Sequence, residues 1–173
     1  MRLAKPLGAA LLSLSIAAVL VRVSSERDRW VRADMVSPSG TSAAHLTLDA
    51  DGPIQGWLRS STPSLSVSCT SGGDVEFAVV TRLPADVEPG NQRSVRYQFD
   101  GDEEVLAAWH QSANRQTLTA PPQKAAELAR RLAEATRFSF AYIPFNAEPA
   151  FATFTLSGFL SHWREVEAAC GAD

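Results

Sequence analysis

The chain has 173 residues, 45% of them hydrophobic and 20% charged, values that fit one folded domain plus a short leader and exclude disorder as the default. Its net charge is -3, and all nineteen acidic residues follow Ser25, whereas Arg2, Lys5 and Arg22 precede it. An acidic surface repels phosphate backbones, so no nucleic-acid partner is expected.

Arg2 and Lys5 open a short basic region, and Pro6 to Val21 is apolar apart from Ser13 and Ser15. That length suits both a cleaved export signal, with Val23 and Ser25 at the −3 and −1 positions, and an uncleaved anchor. Both readings stay open. Arg22, Arg27, Arg29 and Arg32 follow the apolar run, a flank that favours the cytoplasm, yet export remains the expectation. Residues 1–25 thus form a signal peptide or anchor, and 26–173 a single exported domain touching membrane only through its N-terminal segment. The compartment is the periplasm, or the periplasmic side of the inner membrane.

In chain order, Trp30 to Thr81 reads as short strands separated by turns. Ala44 to Asp49 alternates with period two and puts Leu46 and Leu48 on one face. Trp57-Leu58-Arg59 is a further short strand. Leu65 to Cys69 alternates and turns Cys69 to the apolar side. Ser71-Gly72-Gly73-Asp74 reads as a hairpin loop, returning antiparallel through Val75 to Thr81. Pro84 to Asn91 is a loop, Ser94 to Phe99 a half-buried strand, and Val105 to Trp109 another. Gln116 to Thr119 is too short to assign.

The pattern then becomes helical. Pro121 and Pro122 suit a helix start, and Ala125, Leu128, Ala129 and Leu132 form one apolar stripe up to Ala135. Phe138 to Tyr142 and Ala150 to Leu156 are strands. Ser157 then caps a final helix from Gly158 to Cys170, with Phe159, Trp163, Val166 and Cys170 inward. The expected class is α+β: an antiparallel β-sheet or small sandwich packed with two amphipathic helices and one disulfide.

Both cysteines, Cys69 and Cys170, fall in the exported part, and an even count in an oxidising compartment suggests a bridge between them. Two separate buried thiols are the alternative. Trp109 and Trp163, in amphipathic context, are expected in the core, while Trp30 and Trp57 divide evenly between core and binding surface.

Catalytic templates are not met. His45, His110 and His162 fall in different predicted elements, and the chain carries no HExxH, CxxC, GxSxG or Walker pattern. No catalytic, metal-ligating or cofactor-binding residue is assigned. The alternative is a small serine hydrolase, which requires His45 or His110 within hydrogen-bond reach of a serine in a cleft, with an acid behind it. A purely structural tethered domain is the third reading.

Trp30 with Ser37-Pro38, Leu46-Thr47-Leu48, Pro63 to Cys69, Val95 to Asp100, Trp109 with Ser112, Ala152 to Gly158 and Ala168-Ala169-Cys170 together resemble the small periplasmic VasI-like proteins associated with type VI secretion. The resemblance runs from Trp30 to Cys170. It implies an envelope accessory protein without catalytic residues, and supports pairing Cys69 with Cys170. The chain departs from that pattern in lacking a stretch after Cys170 and in its Arg/Ala-rich composition. The function read from the sequence is a non-catalytic envelope accessory or protein-binding module with an envelope protein partner.

Overall fold

Period-two alternation of apolar and polar residues dominates the computed structural model, which describes residues 29–36, 42–70 and 73–170. The leader, and the middle of the expected hairpin loop at Ser71 and Gly72, lie outside these residues. Eleven strands and two helices follow in chain order: β1 (Val31–Val36), β2 (Ser42–Asp49), β3 (Ile54–Gln55), β4 (Ser60–Ser61), β5 (Ser64–Thr70), β6 (Val75–Val80), β7 (Gln92–Phe99), β8 (Val105–Gln111), β9 (Thr117–Thr119), α1 (Pro122–Glu134), β10 (Arg137–Tyr142), β11 (Ala150–Thr155) and α2 (Phe159–Cys170).

Nine strands form one antiparallel sheet in the order β1-β2-β5-β6-β9-β8-β7-β10-β11, and β3 pairs with β4 separately. Register follows the apolar pattern, because a slip by one residue would expose a whole row. Leu46 faces Val67, which faces Phe77; Leu48 faces Leu65, then Val79, then Leu118. All of these are essentially fully buried. On the other half of the sheet Phe99, Phe138 and Phe154 lie in one cross-strand row. Trp109 joins the halves, with ring centroids 5.8 Å from Phe77 and 5.2 Å from Phe140. Such aromatic pairs each add about 0.5–1.5 kcal/mol beyond the area they bury.

α1 lays its expected stripe of Ala125, Leu128, Ala129 and Leu132 into this core, against β6. α2 covers β2 and β5 with Phe159, Trp163 and Val166, and Phe159 meets Trp30 at 4.8 Å. α2 starts at Phe159 rather than being capped by Ser157. Gly158, at φ 88°, makes the entry turn, and Ser161 Oγ donates back to its carbonyl at 2.8 Å. Trp30, Trp109 and Trp163 are all core residues.

The expected α+β class is corrected: the chain is mainly β, one large antiparallel sheet carrying two helices, rather than a balanced sheet-and-helix domain or small sandwich. The helical stripes are the loudest local signals, but the sheet gathers strands too short to announce themselves, β9 among them. The one disulfide in that expectation is not seen among the described residues, in which Cys69 is the only cysteine with a described side chain. Cys69 is buried on the inner face of β5 and is not a free thiol. Cys170 ends α2 with its side chain outside the described residues. Among the described residues no helix is long and apolar enough to cross a membrane.

The outer edge of β11 is covered from the turn after β2. Asp51 donates its N–H to the Thr153 carbonyl at 2.8 Å, and its carboxylate accepts from Thr155 N at 3.3 Å and Thr155 Oγ1 at 3.0 Å. Arg29 completes the contact by pairing with the same carboxylate.

Candidate functional site

The histidines stand apart, on β2, β8 and α2, and the described residues contain no group of three His, Cys, Asp or Glu able to hold a metal. One of them does meet a serine. His45 on β2 and Ser66 on β5 point to the outer face of the sheet, with His45 Nε2 2.7 Å from Ser66 Oγ. Burial lowers the His45 pKa, partly opposed by Glu76 two strands away, so the imidazole is neutral near pH 7. A neutral imidazole beside a hydroxyl is half of a nucleophilic pair, yet two requirements fail. Ser66 is only 8% exposed, and no described carboxylate hydrogen-bonds the other ring nitrogen. The bond satisfies a buried hydroxyl, which would otherwise be costly. His110 lines a separate hollow of about 520 Å³ with Asp74, Glu76 and Thr119, and His162 is half-buried on α2.

The stronger candidate is apolar and lies at the end of the molecule where four connections meet. Between β3 and β4 the chain turns through Gly56-Trp57-Leu58-Arg59, closed by Gly56 N donating to the Arg59 carbonyl at 2.9 Å. The expected strand here is therefore a turn, anchored by buried Ile54. A side chain at Gly56 would come within 2.9 Å of Leu83 Cδ1 and 3.1 Å of the Arg59 carbonyl, so only glycine lets the turn sit this close to its neighbour. The tip points outward: Trp57 is 60% and Leu58 81% exposed.

Facing the tip are Leu83 and Pro84 from the β6–β7 connection and Pro144 and Phe145 from the β10–β11 connection, together enclosing a cleft of about 420 Å³. The two connections are pinned by Phe145 N to the Pro84 carbonyl at 2.8 Å and Asp86 N to the Ile143 carbonyl at 2.9 Å. Tyr142 lies beneath them beside Thr81, its hydroxyl 3.5 Å from the Leu83 carbonyl. Burial pushes its phenol up to about 12. Arg115, from the β8–β9 turn, stacks on Phe145 with its guanidinium carbon 5.2 Å from the ring centre.

Among the described residues, three of the four non-glycine positions with positive φ belong to this loop cluster: Arg82, Arg115 and Asn146, at 57°, 58° and 53°. The left-handed region costs an L-residue about 1–2 kcal/mol, and the surrounding bonds hold it there. Arg82 Nη1 donates to the Thr62 carbonyl at 2.8 Å, and Arg115 N to the Ser112 carbonyl at 2.8 Å. Backbone strain concentrated at one end of a rigid sheet is the usual mark of a working surface rather than of the scaffold.

No family model matches the chain, and no curated protein does. A solved structure does. The crystal structure of invasion associated protein B from Bartonella henselae superposes with a TM-score of 0.54 over 82% of this chain and 93% of that one, at 14% identity. At that identity the likeness is one of fold. The resemblance to VasI-like proteins rests on the residues quoted for it alone.

Sequence reasoning left Trp57 evenly divided between core and surface, and missed Leu58, Leu83, Pro84, Pro144 and Phe145. The signal available was the Pro-bracketed loops at Pro84 and Pro144, each beside an aromatic or aliphatic residue, but nothing in one loop points to the other.

Proposed function

We propose that the chain is a non-catalytic protein-binding module of the bacterial cell envelope, exported or tethered by its N-terminal segment and engaging its partner through the cleft between the Trp57 turn and the Phe145 loop. One observation carries this reading: a tryptophan and a leucine held largely exposed on a glycine-dependent turn, opposite a second apolar wall. Large aromatics at the centre of an apolar patch are the residues on which protein interfaces concentrate their affinity. An accessory role of this kind agrees with the leader read from the sequence and with the fold likeness to an invasion-associated protein. A tie to type VI secretion is proposed on the VasI-like resemblance only.

Crosslinking in intact envelopes tests it, comparing the wild type with Trp57→Ala/Leu58→Ser and with Leu106→Ser, a control 74% exposed and outside the cleft lining. A crosslinked species lost only with the cleft variant is the expected result. The same species in all three proteins would overturn the assignment.

The serine-hydrolase reading has one observation in its favour, the His45–Ser66 bond. It predicts covalent labelling by a fluorophosphonate that Ser66→Ala abolishes. Burial of Ser66 leads us to expect no labelling, and Ser66-dependent labelling would reverse the non-enzymatic assignment.

A further inference from the structure

We infer that the cleft takes a short peptide segment of its protein partner in which an aliphatic or aromatic side chain is flanked by carboxylates. The inference rests on the binding-module reading and names the chemistry the same site selects. Eight residues line the cleft, from Gly56 to Arg59, Leu83 with Pro84, and Pro144 with Phe145. Arg59 is the one ionisable side chain among them, and no carboxylate is present. Its guanidinium donates to the Arg82 carbonyl at 3.1 Å and has no described carboxylate partner. Arg115, stacked on the outer wall at Phe145, has none either. Arg82 differs, since it is engaged by Asp49 at 3.5 Å and by Ser64 Oγ at 2.7 Å.

The protein as a whole is acidic, at net charge -3. The cleft is thus a locally cationic, apolar spot on a chain of opposite sign. An apolar side chain entering between Trp57 and Phe145 brings its neighbours to the rim, where a carboxylate meets Arg59 on one side and Arg115 on the other. Basic segments are repelled, and neutral apolar ones gain no rim contact. The chain's own N-terminal segment, with Arg2, Lys5 and Arg22, has the wrong sign.

Trp57 supplies the readout. Trp30, Trp109 and Trp163 are at most 7% exposed, so a change in tryptophan emission on binding reports Trp57. The full chain is titrated with three capped hexapeptides alternating Leu and Phe with Glu, with Gln, or with Lys. Expected is a saturable blue shift for the Glu peptide, absent in Trp57→Phe. The Glu peptide against Arg59→Gln should bind up to roughly fivefold weaker, the upper end for one exposed ion pair, and the Gln peptide, which also loses the contact at Arg115, weaker still. Raising the salt concentration should erase these differences. Equal binding of the Glu and Gln peptides, or preference for Lys, overturns the inference. So does a shift produced by decanoate but by no peptide, which would mark an amphiphile site. Loss of the envelope crosslink in Trp57→Ala/Leu58→Ser combined with either of the peptide results leaves a protein-binding cleft of different chemistry. Retention of the crosslink removes the binding reading itself.

Discussion

Asp100 shows how much one side chain organises. It sits at φ 49° in the turn after β7. Its carboxylate accepts from Thr136 N at 2.9 Å, Thr136 Oγ1 at 2.7 Å and Arg137 N at 2.8 Å, tying the exit of α1 to the start of β10. The Thr136 hydroxyl, with the two backbone N–H groups, holds the carboxyl pKa below its ordinary value against a weaker opposing effect of desolvation. A group with a depressed pKa in the folded state binds fewer protons there than in the unfolded chain. Its stabilisation is therefore complete above the ordinary carboxylate value and lost as pH falls through the lowered one. Thermal melts of the wild type should show this acid limb, and Asp100→Ala should lower Tm at neutral pH and shallow the limb. An unchanged limb would show that other acids carry it. At the alkaline end Tyr142 acts in the opposite sense. With its phenol pushed up to about 12 from an ordinary 10, it contributes stability that fades as pH rises above 10. Neither role was legible in the sequence, since Asp100-Gly101 reads only as a turn and its partner lies on another element.

The elements divide into those the sequence announced and those it concealed. β2, β5 and β7 were legible because two-residue alternation survives on each, with Leu46 and Leu48, Leu65 and Val67, and Val95 and Phe99 inward. α1 was legible because its stripe recurs at three- and four-residue spacing. β3, β4 and β9 span two or three residues and carry no period at all. Trp57-Leu58-Arg59 reads as a strand yet forms a turn, because alternation and turn chemistry cannot be separated over three residues. The mainly-β class is hidden for the same reason. Strand order depends on which distant segments pair, and β9, the short strand between β6 and β8, joins the two halves of the sheet. The cleft draws on three connections that no local pattern relates. α2 offers the test at this scale. It lies on β5, where Cys69 is buried and not free, and ends at Cys170. A bridge between these two would make Cys170→Ser loosen α2 and lower stability by about 2–5 kcal/mol, the usual loss for a native disulfide in a small domain. Mass analysis before and after reduction checks the pairing, and an unchanged melting curve for the variant would count against it. Removing the aromatic joint with Trp109→Ala should cost about 3–5 kcal/mol without touching the cleft lining, which provides a destabilised control for binding measurements.

Across the whole molecule the work is separated by position. The helices seal the inner face over β2, β5 and β6, while the strained connections gather where Trp57, Arg115 and Phe145 stand. The sheet and its helices hold the core, and Trp57, Arg115 and Phe145 stand outside it, an arrangement in which a site is carried by a fold rather than dictated by it. The Asp51 contact to Thr153 and Thr155 has a consequence of another kind. Backbone groups along a bare strand margin are a template on which like chains add one after another. By occupying those groups, a single aspartate with Arg29 behind it caps what would be a growing end. Asp51→Ala keeps the backbone bond to Thr153 but frees the Thr155 N–H, so it should leave the monomer folded yet raise light scattering at high concentration, the sign of edges that have begun to add to one another.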